Sequence, residues 1–330
     1  MSLLLLDRSQ LEVKSEGETL ALYESGVRRG TVPIKLIDRC VIHGAQTRLD
    51  SGVLMKLAEA GVSTVLLSPR IPRRVALVLG PQHNDAAVRL AQATRVLDEL
   101  WCCQWALSLV RAKLSRQCRT LQQLQLARPD ARKPLYEGLQ TLEGILQSLR
   151  DADCPELDRL RGFEGAAARA YFNGLTGVFA PSLNFKGRNR RPPRDPVNVC
   201  LSLGYTMLHL QAIRMCSSAG LDPLLGFYHR PAFGRESLAS DLIEPLRPML
   251  DLWVWEMLRR RELRDDHFSI DKGACLLGKA GRQVFYAAWE KQCAPWGRWL
   301  RVQTQGLARD MRQQGEAWLV NVDGDDEEAC

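Results

Sequence analysis

Apolar residues recur at two different periods in this 330-residue chain, and the change between them falls near residue 84. Before it, short aliphatic and β-branched runs occupy 3–6, 11–13, 20–23, 32–34 and 37–42. Gly17, Gly26, Gly30 and Gly44 punctuate them as turn residues do, so these runs are predicted to be strands. One helix interrupts them, with Asp50 as N-cap, Ala60 near its end and Gly61 after it; 62–67 then returns to strand. Beyond the Pro-, Gly- and Arg-rich segment 69–84 the period becomes helical. Leu90, Ala93, Leu97, Leu100, Trp101, Trp105 and Leu109 recur mostly every three or four residues, predicting one long helix from Asp85 past Cys118. Further helices are expected at 134–149, 156–173, 196–219 and 242–261. The fold class is therefore α+β: a small N-terminal β-rich domain over 1–84, a larger all-α domain over 85–322, and an acidic tail over 323–330.

The tail matters for charge. The formal charge is +7, but five carboxylates, Asp323, Asp325, Asp326, Glu327 and Glu328, lie in the last eight positions, so the body without them carries +12. A body that basic suits a polyanion such as nucleic acid, although many basic enzymes bind none. No stretch approaches the roughly 18 apolar residues of a membrane span. The run 3–6 is stopped by Asp7 and Arg8 and lacks the apolar core of a signal peptide, so a cytoplasmic protein without membrane contact is expected. The ten cysteines form no C-x-x-C pair, which indicates buried thiols and neither a zinc site nor a disulfide framework.

Chemistry-bearing residues gather in the helical part. His229, one of five histidines, lies in Gly226-Phe227-Tyr228-His229-Arg230-Pro231, a loop by composition. Asp241 and Glu244 follow, opening the apolar run Leu246, Met249, Leu250 and Trp253. On a helix, positions three apart share a face, so both carboxylates could point one way and His229 could fold back toward them. The plainer reading of D-x-x-E before an apolar run is a capping box in which Asp241 caps a helix. Glu164 sits among small residues in Gly162-Phe163-Glu164-Gly165-Ala166-Ala167-Ala168-Arg169, where it could pair with Arg169 or face an approaching phosphate. Glu, His and a second carboxylate together suit Mg²⁺ or Mn²⁺, with His favouring Mn²⁺. Between them, Lys186, Arg188, Arg190, Arg191 and Arg194 place five basic residues in nine positions, with prolines that exclude helix. An exposed, mobile loop of phosphate contacts is expected there. Trp253 and Trp255 lie in so apolar a helix that they read as core.

Taken together, G-F-E-G-A-A-A-R-A-Y-F at 162–172, D-P-V-N-V-C-L-S-L-G-Y-T-M-L at 195–208 and G-F-Y-H-R-P-A-F-G-R-E-S-L-A-S-D-L-I-E-P-L-R-P at 226–248 resemble the CRISPR-associated protein 1 family. Residues 34–44 are similar too, and the resemblance extends to about residue 300. It implies an N-terminal β domain that forms a homodimer and a helical domain holding one divalent metal, Mg²⁺ or Mn²⁺, through Glu164, His229 and Glu244. Asp241 matches the acidic position beside the metal. Many relatives have Asp where this chain has Glu244, which leaves open which of Asp241 and Glu244 touches the ion.

The implied activity is that of an integrase. It joins the 3′-hydroxyl ends of short double-stranded DNA to a CRISPR repeat by transesterification, with endonuclease action when water replaces the hydroxyl. CRISPR-associated protein 2 is the implied bridging companion. One ester replaces another, in keeping with the absence of a G-x-x-x-x-G-K-[ST] loop. Two other readings fit the residues alone: a metal-dependent repair nuclease that does not integrate, and a DNA-binding scaffold whose acids merely cap helices.

Overall fold

The computed structural model describes residues 3–7, 10–37, 39–43, 46–67, 74–80, 83–150, 155–189 and 192–319. Arg190, Arg191, Asp38, Gly44 and the acidic tail lie outside them.

The N-terminal part contains β1 (Leu3–Leu6), β2 (Leu11–Glu16), β3 (Thr19–Glu24), β4 (Val27–Pro33), β5 (Arg39–His43), β6 (Arg48–Leu49), α1 (Ser51–Glu59), β7 (Ser63–Leu67) and β8 (Arg74–Val78). They make two sheets, ordered β1-β5-β7-β8 and β4-β3-β2-β6. β8 was not expected from the loop-like composition of 69–84. Asp50 stands at the N-cap of α1, and Gly61 follows the helix at φ +70°, as its sequence predicts.

β5 explains how this part meets the rest. All five of its residues are buried. Cys40 and Ile42 join Val13, Leu20, Val53 and Leu57 in a core between the two sheets. Val41, on the opposite face, joins Val65 and Leu67 in the core of the helical part. A strand buried on both sides reads as a continuous apolar run, and 40–42 is one. Two ion pairs cross the same boundary: Arg39 to Glu290 at 2.6 Å, and Arg282 to Asp7 at 2.9 and 3.1 Å.

The helical part contains α2 (Ala86–Leu97), α3 (Glu99–Ala127), α4 (Arg132–Arg150), α5 (Leu157–Thr176), α6 (Pro196–Ser218), α7 (Ser237–Ile243), α8 (Arg247–Arg259), the hairpin β9 (Phe268–Asp271) and β10 (Ala274–Leu277), and α9 (Lys279–Gly315). Two expected helices are divided. The one predicted from Asp85 breaks at Asp98, whose extended backbone ends α2 and whose carboxylate accepts the Trp101 amide at 3.0 Å to start α3. The one predicted over 242–261 is instead α7, a 3₁₀ turn Glu244–Leu246, and α8. Pro245 and Pro248 have no amide to give the ladder, so a continuous helix is not available there. The β9–β10 hairpin lies within an otherwise helical region and was not expected.

α3 is the central post, packed against α4, α5 and α8. Trp255 is buried and donates its indole N–H to the Val178 carbonyl at 3.1 Å; Trp253 packs edge-to-face on Phe285, Trp289 and Trp296. Trp255 belongs to the core, and Trp253 is partly buried against it. Of the eight cysteines among the described residues, all are free and all but Cys103 are buried, and burial pushes the Cys40 thiol up to about 12. No helix among the described residues is long and apolar enough to cross a membrane.

The Arg39–Glu290 pair ties β5 to α9 with Arg39 almost wholly buried. Replacing Arg39→Met keeps most of the volume and leaves the carboxylate with one partner fewer, so a loss of about 3 kcal/mol is expected in urea denaturation. A variant within about 0.5 kcal/mol of wild type would show that the pair contributes nothing to holding the two layers together.

Candidate active site

Glu164 is placed by the packing of α5. Leu160, Ala167, Tyr171 and Gly174 form the buried face of that helix. α4 approaches so closely that a Cβ on Gly138 would stand 3.0 Å from the Ala170 carbonyl oxygen. The next stripe of α5, Glu164, Gly165 and Ala168, is left facing a cleft of about 350 Å³ that His229 and Glu244 also line. A Cβ on Gly165 would meet nothing within 4 Å, so the small-residue run does leave open space beside the carboxylate. Glu164 pairs with Lys113 and Tyr228, and the expected partner Arg169 is exposed.

The His229 loop is fixed by Asp241. Its Oδ2 accepts the amides of Phe227 and Tyr228 at 2.8 and 3.0 Å, and Oδ1 accepts the His229 amide at 2.9 Å. Oδ1 also meets His229 Nδ1 at 2.7 Å. Asp241 is fully buried, and these contacts engage both of its oxygens. The capping-box reading is therefore wrong: Glu236 holds the N-cap position of α7, and Asp241 lies inside that helix with its carboxylate turned back to the loop. Gly226 allows the loop to sit this close, since a Cβ there would stand 2.5 Å from the Ser237 carbonyl carbon. With Nδ1 committed to Asp241, Nε2 is the ring nitrogen left for a ligand.

Sequence reasoning missed Lys113. It projects from α3, 8% exposed, and its ammonium meets Glu164 Oε1 and, at 2.5 Å, Glu244 Oε2. The other oxygen of each carboxylate has its own partner: the Tyr228 hydroxyl donates to Glu164 Oε2 at 2.8 Å, and Arg247 Nε stands 2.8 Å from Glu244 Oε1. Burial opposes ionisation of Glu244, but Arg247 and then Lys113 outweigh it and hold the carboxyl at about 2. Burial likewise pulls the Lys113 ammonium down, and the charges of Glu244 and Glu164 more than offset that, leaving it above its usual range.

The basic segment divides. Lys186 and Arg194 are exposed. Arg188 is not the free loop side chain expected of it: Nη1 donates to Asn198 Oδ1 at 2.7 Å, Nη2 donates to Ser202 Oγ at 3.0 Å, and the guanidinium lies 5.3 Å from the Tyr205 ring centroid, within the cleft. Arg247 lies over the same ring at 4.6 Å. Asp195 caps α6 by accepting the Asn198 amide at 2.8 Å, and Asn198 in turn donates to the Gly187 carbonyl at 2.9 Å, so the start of α6 organises this loop.

The model of the family "CRISPR associated protein Cas1" matches residues 4–291. The chain belongs to that family. A CRISPR-associated endonuclease Cas1 of Thermodesulfovibrio yellowstonii is 32% identical over 95% of this chain and 98% of its own. Among solved structures, a casposase bound to an integration product has a TM-score of 0.83 and 21% identity, covering 96% of this chain and 92% of that one. A chain of a Cas6–RT–Cas1–Cas2 complex has a TM-score of 0.79 and 23% identity, over 96% of this chain and 35% of that one.

In this Cas1 family member, no three His, Cys, Asp or Glu side chains among the described residues stand together as a ready metal cluster. The donor set nonetheless fits a divalent cation. Glu164 Oε1 and Glu244 Oε2 both turn to one positive charge, the buried Oε2 has no directional hydrogen bond, and His229 lines the same cleft. Two carboxylates and an imidazole are what Mn²⁺ or Mg²⁺ accepts.

The cleft also contains Asp251, which accepts the hydroxyls of Tyr171 at 3.0 Å and of Tyr205. Burial pushes its carboxyl up to about 6, against these hydrogen bonds, which favour the ionised form. Because its folded pKa lies above the unfolded value of about 3.9, the folded state holds the proton more tightly, and stability falls as pH rises through that window. Asp251→Asn should remove this component. Between pH 4.5 and 7, wild type should lose about 2 kcal/mol more than the variant in urea denaturation; parallel pH profiles would contradict a protonated Asp251.

Proposed function

We propose that this chain is the integrase of CRISPR adaptation. It joins the 3′-hydroxyl ends of short double-stranded DNA to a CRISPR repeat by metal-dependent transesterification, and it cleaves DNA where water takes the place of the hydroxyl. The observation that carries this reading is the convergence of Glu164, Glu244 and His229 on one cleft that also holds Lys113, Arg188 and Arg247. The family supports it, its T. yellowstonii relative being called an endonuclease. So does a shared fold with a casposase bound to an integration product.

Glu164, His229 and Glu244 would hold the ion, Mg²⁺ or Mn²⁺. When bound, it supplies Lewis acidity, neutralising charge on the scissile phosphate and lowering the pKa of the attacking hydroxyl. Asp241 fixes the tautomer and direction of His229 from behind, and its saturated carboxylate leaves direct ligation to Glu244. Arg188 and Arg247 face the cleft and are suited to hold phosphate oxygens, so that the attacking and leaving oxygens are aligned. Lys186, Arg190, Arg191 and Arg194 extend the contact along the DNA backbone, setting affinity and reading no sequence.

Residues 1–84 serve as the dimer-forming unit and 85–322 as the catalytic and DNA-binding unit. An edge strand such as β4, exposed at Val27, is a ready surface for another chain. The fold shared with a chain of a Cas6–RT–Cas1–Cas2 complex supports Cas2 as the bridging companion.

The test is strand transfer of a labelled short duplex into a plasmid carrying a CRISPR repeat, with Mn²⁺ or Mg²⁺, with and without the companion. Joining is expected in wild type and a loss of at least ~10²-fold in Glu164→Ala and in His229→Ala. Cleavage without joining, even with the companion, would favour a repair nuclease; joining that survives in both variants would mean the site lies elsewhere.

The DNA-backbone interactions have their own signature. Arg190→Ala with Arg191→Ala should weaken DNA binding across all sequences and reduce the slope of log affinity against log salt by roughly 2, about one for each phosphate that the variant leaves without its arginine. An unchanged slope would remove both residues from the interface.

A further inference from the structure

Glu164 and Glu244 present themselves in the same way: one oxygen is held by a fixed neighbour, Tyr228 or Arg247, and the other turns to the Lys113 ammonium. The oxygens on Lys113 are the pair that a shared cation would need. We propose that Lys113 is the tethered counter-cation of the metal-free site, displaced from Glu164 and Glu244 when a divalent ion enters, so that it sets how tightly the ion is held. This rests on the reading of Glu164, His229 and Glu244 as the metal ligands.

Charge decides between exchange and simple addition. Two carboxylates face one ammonium and one guanidinium, and the four charges cancel. A divalent ion added beside an unmoved Lys113 would leave two uncompensated positive charges among groups that are mostly buried, where unpaired charge is expensive. Withdrawal of the ammonium removes one of them and frees the two oxygens. The residues are suited to this division of labour. Lysine carries a compact charge on a flexible four-carbon stem, whereas the planar guanidinium of Arg247 is held over the Tyr205 ring, 4.6 Å from its centroid. Tyr228 and Arg247 would keep each carboxylate in place while Lys113 leaves.

The test is Mn²⁺ binding by isothermal titration calorimetry on the full chain, without DNA, together with thermal melting in EDTA. Lys113→Met removes the competitor. Its Mn²⁺ affinity should rise about tenfold, its melting temperature in EDTA should fall below wild type, and Mn²⁺ should raise that temperature more than it does in wild type. Lys113→Arg keeps the charge in a fork that can grip both carboxylates, and its affinity should fall about tenfold. Opposite shifts in the two variants are what a merely structural lysine would not give.

A folded Lys113→Met that binds Mn²⁺ no more tightly than wild type overturns the proposal. Where that variant does not fold in EDTA, Lys113→Arg decides alone, and affinity equal to or tighter than wild type overturns it. His229→Ala separates the two levels of argument: wild-type Mn²⁺ binding that is indifferent to this substitution places the ion elsewhere and removes the ligand assignment, and the proposal with it.

Discussion

Two glutamates from different helices share one cleft, and like charges cannot be brought that close in a partly desolvated place without a cation between them. Lys113 meets that constraint in this chain, and the elements around the site are arranged to let it. α3 must run through the middle of the helical part for a lysine on it to reach both α5 and the 3₁₀ turn that follows α7. α4 must close on α5 across Gly138 so that Glu164 is turned to the cleft and not buried against α4. The helix after α7 must be interrupted at Pro245 and Pro248, so that Glu244 falls in a turn near Arg247 while Asp241, one turn earlier, faces the loop. The chemistry of the site and the irregularity of the backbone at 244–246 thus have a common origin.

His229 depends on a second constraint, the satisfaction of buried backbone amides. A loop of glycine, aromatic and proline residues leaves three consecutive N–H groups without a ladder, and the carboxylate of Asp241 takes all three. That is more acceptance than an N-cap provides, and it explains why an acid can stand at zero exposure inside a short helix. The same carboxylate reaches Nδ1, so the groups that hold the loop together also decide which ring nitrogen is presented.

Legibility in the sequence followed the reach of each interaction. Strands β1 to β5 and β7, with α1, α4, α5 and α6, were readable because period and end signals are local, and Asp50, Gly61 and Pro196 stand where such signals belong. Glu164, His229 and Glu244 stood out because a carboxylate among small residues and an imidazole among glycines and proline are locally unusual. Asp98 was overlooked because the apolar spacing continues across it, although its side chain caps a new helix. Asp241 admitted a capping reading beside the site reading because D-x-x-E has the same spelling whether the acid bonds forward to its own helix or back to residues 227–229. Lys113 had no signal at all: a lysine within an amphipathic helix looks like a solvent-facing position until the partners, 51 residues away at Glu164 and on another element at Glu244, are known.

Arg188 shows how composition can mislead about mobility. Five basic residues among prolines suggest a solvated loop, yet Asn198 and Ser202, both on α6, fix Arg188 beside Tyr205. A guanidinium held in one geometry gives up less entropy on meeting a phosphate than one on a free loop, and it can orient the phosphate and not merely attract it. Lys186 and Arg194, exposed at either side, keep the freedom that the proposed tracking of a DNA backbone would need. The segment therefore contains two kinds of positive charge, and in the proposed reaction only the fixed kind would align a phosphodiester with the carboxylates and imidazole opposite.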